Sequence, residues 1–153
     1  HSRDDFTDAV QRAAKHKIKV CAHIILGLPG ETRDDMLSTA RNISALPIWG
    51  VKFHQLQVTK DTALEDEFNQ GKIKLLTLSE YIDLVIDSLE LLAPDIVIHR
   101  VVGDTLDEFH IAPRWGPDKF RVIEMIKTRL VERKTRQGAL LGTDGAKRNF
   151  ANR

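Results

Sequence analysis

The most constraining feature of this 153-residue sequence is an apolar run at residues 18–26, IKVCAHIIL, which ends in the glycine turn Gly27-Leu28-Pro29-Gly30. A near-continuous apolar run bounded by turn residues is typical of a buried strand in a parallel sheet. Thr32 follows as a helix cap with Asp35 three residues later, and Pro47 ends the helical pattern. The segment therefore predicts one strand-turn-helix unit.

The same alternation of strand and helix continues along the chain. Apolar spacing predicts a helix at 4–16, strands at 51–58 and 96–102, a helix between the capping pair Thr77/Glu80 and Pro94, and a last helix with Pro117 at its first position. The polar connection at 59–76 is long, which is typical of a functional loop or of one with short elements of its own.

Strands that alternate with helices imply parallel strands joined by right-handed crossovers. We therefore predict an α/β fold, a partial (β/α) barrel with three parallel βα units and a C-terminal helical extension, because a complete barrel needs about 250 residues. Residues 1–116 are assigned to the barrel part and 117–153 to a C-terminal helix and basic tail. Three strands alone leave an unpaired edge, which predicts a missing N-terminal half or self-association through that edge.

Composition limits the compartment more than the function. The single cysteine, Cys21, excludes an internal disulfide and is typical of a reducing compartment. No apolar run approaches the roughly 20 residues that cross a bilayer, and the opening segment is polar and acidic, unlike a signal peptide. We expect a cytoplasmic protein without a membrane partner.

Charge is unevenly distributed, although the whole chain carries only +1. Residues 127–153 hold eight Lys or Arg and two acidic residues, a net charge of +6, which leaves −5 on the first 126 residues. A basic tail can follow RNA phosphates, but cations are also favoured at a helix C-terminus. Phe150 is the only aromatic residue in the segment, so the interleaved aromatics that stack on bases are absent from it.

Ligands of parallel α/β folds bind at the C-terminal ends of the strands, which directs attention to the turn from Gly27 to Thr32. Gly27 and Gly30 allow tight turning and close approach of a ligand, and the amides at the following helix start can receive a negative group. A tight connection between strand and helix explains the same glycines equally well. Glu31 has a second explanation too, because a carboxylate is favoured at a helix N-terminus.

Three histidines, His23, His54 and His99, lie on the three predicted strands. Strand alternation places His54 opposite Val51 and Phe53, which would pack under the helices. Converging imidazoles could bind a metal, but no carboxylate has a matching position, so lumen histidines that orient a substrate are favoured. Catalytic residues are unassigned.

Two polar residues complete the predicted substrate pocket, namely Gln55 and Arg100. Arg100 could anchor a carboxylate or phosphate through its planar fork, or form an ion pair with Asp95 or Asp104.

The segment HIILGLPGET at residues 23–32 closely resembles the turn after the fifth barrel strand of radical S-adenosylmethionine enzymes. The chain is similar to oxygen-independent coproporphyrinogen oxidases and the Elongator catalytic subunit, and most similar to a branch of uncharacterised iron-sulfur oxidoreductases. Further matching segments are VKFHQLQVTKDTAL, IHRVVGD, Ala112 to Trp115, and RKTRQG, so the resemblance covers residues 1–138.

The resemblance implies that the chain is the C-terminal half of a parent enzyme that binds S-adenosylmethionine and a [4Fe-4S] cluster. In the parent, the reduced cluster would cleave S-adenosylmethionine to a 5′-deoxyadenosyl radical that abstracts hydrogen from a small-molecule or RNA substrate. The cluster needs three cysteines in a CxxxCxxC loop. Because this chain has only Cys21, we expect it to bind neither cofactor alone and to be inactive without the rest of the barrel.

The resemblance also implies a cofactor position. The family pattern GxIxGxxE places its isoleucine against adenine, and Ile25 and Gly27 match its I-x-G core. His23 stands at the first glycine, and Glu31 lies one residue after the glutamate position. The resulting cofactor-binding candidates are Ile25, Gly27, Gly30 and Glu31, and this half would supply the adenine-side wall and part of the substrate pocket.

Two other function classes stay open at this stage. The chain could be a complete metal-dependent hydrolase or lyase built on His23, His54 and His99. It could also be a non-catalytic RNA-binding or assembly module that uses its basic tail, in which case deletion of residues 136–153 would abolish salt-sensitive RNA binding.

Overall fold

A computed structural model describes residues 2–104 and 108–141 of the chain. The elements in chain order are α1 (Arg3–Lys15), β1 (Cys21–Leu26), α2 (Arg33–Ala45), β2 (Gly50–Gln55), β3 (Val58–Thr59), α3 (Ala63–Asn69), α4 (Leu78–Glu90), β4 (Val97–Arg100), β5 (His110–Ala112) and α5 (Lys119–Glu132). No helix in these described ranges is long and apolar enough to span a bilayer.

The predicted caps set the starts of two main helices. Thr32 and Asp35 form a reciprocal capping box at the start of α2, and Thr77 and Glu80 form another at α4. In each box the hydroxyl accepts a backbone amide of the first turn while the acidic side chain accepts the amide of the cap residue. These local signals were readable from sequence because a capping box needs no tertiary partner.

A three-stranded parallel sheet in the order β1-β2-β4 forms the centre of the fold. The predicted α/β partial barrel is confirmed. One sheet face is buried, since Ala22, Ile24, Leu26, Val51 and Phe53 are each at most 3% exposed. The same core contains Met36, Ala40, Tyr81 and Val85 from α2 and α4, with Val122 and Ile126 from α5.

The opposite sheet face, called here the open face, carries Cys21, His23, Ile25, Lys52, His54 and Arg100. Strand register pairs His23 with Lys52, Ile25 with His54, and Lys52 with Arg100, so these side chains form one continuous surface. Ile25 is 44% exposed, whereas its neighbours Ile24 and Leu26 are buried. The alternation along β1 therefore separates a core face from an accessible face, and the prediction that His54 opposes Val51 and Phe53 is confirmed.

Several predicted strand boundaries are wrong in detail. The first strand begins at Cys21 rather than residue 18, because Lys17 turns the chain with a φ of 59° and Ile18 is 60% exposed. The second strand ends at Gln55. Val58 and Thr59 form β3, which pairs antiparallel with β5, a strand that the sequence did not reveal.

The last helix also starts later than predicted. Pro117 is not its first residue, because Asp118 is the N-cap and its side chain accepts the amide of Arg121. The long connection at 59–76 contains the short helix α3, as its length indicated.

Helix α5 is tied to the barrel part by ion pairs. Arg129 contacts Asp83 at 2.7 Å, and Arg133 contacts Asp83 at 2.8 Å and Asp87 at 2.7 Å. Arg33 of α2 also pairs with Asp87. Two of the basic residues in the C-terminal segment are thus engaged inside the fold, while residues 142–153 of the tail lie outside the described residues.

Residues 136–138 after α5, called here the RQG segment, pack against the C-terminal end of α4. The Gln137 amide donates to the carbonyls of Ala93 and Ile96, and the Gly138 amide donates to the Leu89 carbonyl. Leu89 lies in the last turn of α4, whereas Ala93 and Ile96 lie in the connection between α4 and β4, so the segment is bonded to both. The segment thus has a structural role in the described fold, and the division at residue 116 stays a prediction.

Candidate functional site

The open face brings two of the three predicted histidines together. His23 and His54 stack with ring centroids 5.4 Å apart and ring planes at 22°. Both lie beside Lys52, which follows from the pairing of β1 with β2 and from the alternation of side chains along β2. Arg100 ends β4 next to Lys52. Basic and aromatic groups therefore extend from the middle of the sheet, at His23 and Lys52, to its C-terminal edge, at His54 and Arg100. Ligands of such folds bind at that edge.

The surroundings of His54 disfavour its charged form. Burial lowers the pKa of His54 below its usual 6.5, and the nearby charges of Arg100, His23 and Lys52 lower it further. Its Nε2 atom is shielded from solvent and has no hydrogen-bond partner among the described residues. A neutral imidazole with a free ring nitrogen can donate or accept one hydrogen bond, depending on its tautomer.

We expect this electrostatic environment to be measurable by titration. The imidazole of His54 should titrate below 6.5 in NMR spectra, and Arg100→Gln should move its midpoint upward because a neighbouring positive charge is removed. The unfolded chain binds a proton on His54 more readily than the folded chain does. His54 therefore lowers the free energy of unfolding as the pH falls through 6.5.

The control for this titration is Arg41→Gln, which removes an exposed guanidinium on α2. It should leave the His54 midpoint unchanged. A midpoint at or above 6.5 in the unmodified chain would contradict the described environment of His54.

The glycine turn has structural reasons for both glycines. Gly27 has a φ of +88°, and a Cβ there would lie 3.0 Å from the Leu76 side chain. Gly30 has a φ of +81° with open space around it. Both backbone conformations favour glycine. The space beside Gly27, where close approach of a ligand was expected, is filled by the Leu76 side chain in this structure.

Glu31 lies apart from the open face, in a cavity of about 320 Å³ between the glycine turn and residues 72–76. Its Oε2 atom is buried and has no hydrogen-bond partner among the described residues. Burial raises the pKa of the Glu31 carboxyl, the Leu28 backbone opposes the rise, and Asp35 adds to it. The carboxyl is therefore easier to protonate than a surface glutamate.

Gln55 has a positioning role that the sequence did not show. Its side-chain amide forms two hydrogen bonds with the main chain of Gly103. The Gly103 N–H donates to Gln55 Oε1 at 2.8 Å, and Gln55 Nε2 donates to the Gly103 carbonyl at 3.4 Å. A Cβ on Gly103 would lie 3.0 Å from His54 Nδ1 and 3.1 Å from Gln55 Oε1. Gln55 therefore fixes the segment after β4 against His54.

A second cavity, of about 540 Å³, opens beside Gln55. Its lining includes Gln57 and Arg114 from connections, His110 from β5 and Lys119 from the start of α5. Sequence reasoning missed this cavity because the lining residues lie far apart in the chain. The one available sequence signal was the cluster of Pro113, Trp115 and Pro117. In the structure the ring centroids of Trp115 and Tyr81 are 5.1 Å apart, so this cluster forms a packed corner.

The predicted triad of histidines is not assembled. The ring centroids of His99 and Trp49 are 4.6 Å apart, and the His99 side chain lies against Gly50. Gly50 is the first residue of β2, whereas His54 lies near the C-terminal end of that strand. No three His, Cys, Asp or Glu side chains within residues 2–104 and 108–141 are arranged to hold a metal ion. The metal-hydrolase hypothesis therefore loses its proposed ligand set.

Comparison with protein families decides the affiliation. The model of the radical SAM C-terminal domain matches residues 48–132, a little over half of the chain. The chain belongs to the radical SAM C-terminal domain family. The match runs from β2 through α5 and thus covers His54, Gln55 and Arg100 of the site.

Individual proteins are similar to most of this chain. The chain is 37% identical to the uncharacterized protein YtqA of Bacillus subtilis over 90% of its length, and 38% identical to the uncharacterized protein MJ0486 of Methanocaldococcus jannaschii over 91%. It spans 43% and 44% of those two proteins. The protein YhcC of Escherichia coli is 26% identical over 86% of the chain.

A solved structure supports the fold. The archaeal Elp3 of Methanocaldococcus infernus, with residues 1–46 deleted, superposes with a TM-score of 0.77 over 90% of this chain and 32% of its own. Sequence identity is 19%, so this likeness concerns the architecture. The partial barrel of this radical SAM C-terminal domain is therefore a known arrangement of strands and helices.

The family implies S-adenosylmethionine and a [4Fe-4S] cluster in the parent protein, and the residues present fit these groups unequally. Ile25 offers an exposed apolar side chain beside His54, which fits contact with an adenine ring. The cluster is not matched, because the chain contains one cysteine and the cluster needs three thiolates in its loop.

Proposed function

We propose that this chain forms the C-terminal part of a radical S-adenosylmethionine iron-sulfur oxidoreductase, in which the open face supplies the adenine-side wall and part of the substrate pocket. The observation that carries the proposal is the asymmetry of the sheet. One face is packed into the core, whereas the other presents Ile25 and Arg100 to solvent near the ends of parallel strands, with His54 half-buried beside Ile25. Lumen-facing side chains of a barrel have this arrangement.

The missing barrel portion is the proposed partner. Among the described residues, β1 pairs only with β2, so its other edge is free for a preceding strand. Pairing there would cover the unsatisfied edge and enclose the open face. The match to less than half of YtqA and MJ0486 supports a longer protein that carries the cluster cysteines outside this chain.

Each residue of the proposed wall has a limited task. The bound cofactors would supply radical-generating cleavage of S-adenosylmethionine. Ile25 would exclude water from one side of the adenine, while His23 and His54 would present ring nitrogens to the substrate pocket. Gln55 would hold Gly103 so that the segment after β4 keeps its position beside His54.

Substitution of Ile25 tests this proposal in the longer protein that carries the chain. We expect Ile25→Ala to weaken S-adenosylmethionine binding about tenfold, because loss of roughly 1–2 kcal/mol of apolar contact changes a dissociation constant by that factor. Equilibrium dialysis with the cluster intact would measure the constant. The first requirement is a CxxxCxxC loop upstream of residue 1, and its absence from the natural gene would reject the proposal.

Ile18→Ala is the matched control. It removes the same atoms from an exposed isoleucine that precedes β1, so binding should be unchanged. Equal affinity of the Ile25→Ala protein and the unmodified protein would contradict the adenine-side assignment.

A further inference from the structure

The strands that form the open face carry positive groups without any acidic residue. The sequences of β1, β2 and β4 are CAHIIL, GVKFHQ and VIHR, which contain no Asp or Glu. Lys52 and Arg100 are register partners, and His23 pairs with Lys52. Like charges at this spacing repel each other, and a bound anion would relieve the repulsion.

Several basic residues elsewhere in the fold form ion pairs with carboxylates. Arg33, Arg129 and Arg133 contact Asp83 or Asp87, and Lys119 contacts Asp104. Within residues 2–104 and 108–141, neither Lys52 nor Arg100 has an ion-pair partner. The positive charge of Arg100 contributes to a lowered pKa of Asp104, but the Asp104 carboxylate already accepts a hydrogen bond from Lys119.

The donors of the open face fit a tetrahedral or planar oxyanion. Arg100 offers a rigid fork of N–H donors that matches carboxylate and phosphate, and Lys52 offers a point charge beside it. His23 and His54 flank these two residues, with His54 half-buried beside Lys52. Arg100 is the last residue of β4 and Lys52 lies in the middle of β2, so the group adjoins the C-terminal edge of the sheet, where barrel substrates bind.

We propose that Lys52 and Arg100, flanked by His23 and His54, bind a carboxylate or phosphate group of the substrate. The assignment of this anion to the substrate rests on the function proposed above, whereas anion binding by the open face can be tested on this chain alone. The substrate class is thus an anionic molecule whose charged group reaches the strands β2 and β4.

Inorganic phosphate is the probe for the anion site. Ring resonances of His23 and His54 should shift saturably when phosphate is added to the 153-residue chain at constant pH and ionic strength. Arg100→Gln should weaken this binding at least tenfold, since a lost charge-assisted contact of about 1.5 kcal/mol corresponds to that factor. Arg41→Gln, which makes the same change on the outer surface of α2, should leave it within about twofold.

Arg100→Lys distinguishes the contribution of the paired guanidinium N–H donors from that of the positive charge. It should give intermediate binding, because the charge remains while the paired donors are lost. Shifts that match those from chloride at equal ionic strength, or a phosphate affinity that survives Arg100→Gln, would overturn the anion site. If the chain alone gives no dispersed spectrum, the same titration is made in the longer protein.

The source of the anion is decided by competition in the longer protein. Phosphate that stays bound when S-adenosylmethionine is added supports a substrate group, whereas displacement assigns the site to the carboxylate of the cofactor and overturns the substrate assignment. Failure of the Ile25→Ala test with phosphate binding intact would reject the proposed function but leave the anion site standing. The two hypotheses therefore fail separately.

Discussion

Phe53→Ala is expected to lower the free energy of unfolding of this chain by about 3–5 kcal/mol, the range for deletion of a buried aromatic side chain. Phe53 is fully buried on β2 and belongs to the core that α2, α4 and α5 share. Total stabilities of small domains are about 5–15 kcal/mol, so the loss removes a large part of the total. Urea denaturation followed by circular dichroism would measure it.

The control reports on the other face of the same sheet. Ile25→Ala in the 153-residue chain should cost less than about 1 kcal/mol, because Ile25 is already 44% exposed. In a longer protein that covers the open face, the cost of the same substitution should rise. Similar losses for both substitutions in the short chain would contradict the two-faced sheet.

Gly138→Ala is expected to destabilise the chain by about 2–5 kcal/mol, from two additive causes. A left-handed backbone costs an alanine about 1–2 kcal/mol, and Gly138 has a φ of +76°. A Cβ there would also lie 2.7 Å from Pro94 Cγ and 3.3 Å from the Leu92 carbonyl oxygen, and relief of such overpacking costs about 1–3 kcal/mol. The midpoint of thermal unfolding would fall accordingly.

Gly71→Ala isolates the contribution of the contact. Gly71 has a nearly equal φ of +71°, but no atom lies within 4 Å of the position of its Cβ. It should therefore cost about 1 kcal/mol, the backbone part alone. Equal losses at Gly71 and Gly138 would show that the RQG segment does not pack against Pro94 as described.

The fold class followed from signals that act over short distances in the chain. The apolar run before Gly27 predicted a buried strand, and the capping boxes at Thr32 and Thr77 fixed two helix starts. Boundaries failed where tertiary pairing decided them. Val58 and Thr59 continue the strand pattern of β2, but they form a separate pair with β5, whose partner residues lie some fifty positions later.

The site was only partly readable. Alternation along β2 predicted the opposite orientations of His54 and Phe53, because side chains of a strand alternate between faces. Sequence spacing could not place His99, since a register shift between β2 and β4 and its contact with Trp49 take it away from the other histidines. Nor could sequence spacing show that the side-chain amide of Gln55 hydrogen-bonds to the main chain of Gly103.

The sequence by itself determined the alternation of strands and helices, the helix caps and the resemblance to radical SAM enzymes, because periodicity, capping and motif order are local properties of the chain. Only the tertiary structure decided which polar residues share a surface. Alternation along β2 puts Lys52 and His54 on one face, but only the pairing of parallel strands makes them neighbours of His23 and Arg100. That pairing depends on a core to which α2, α4 and α5 contribute.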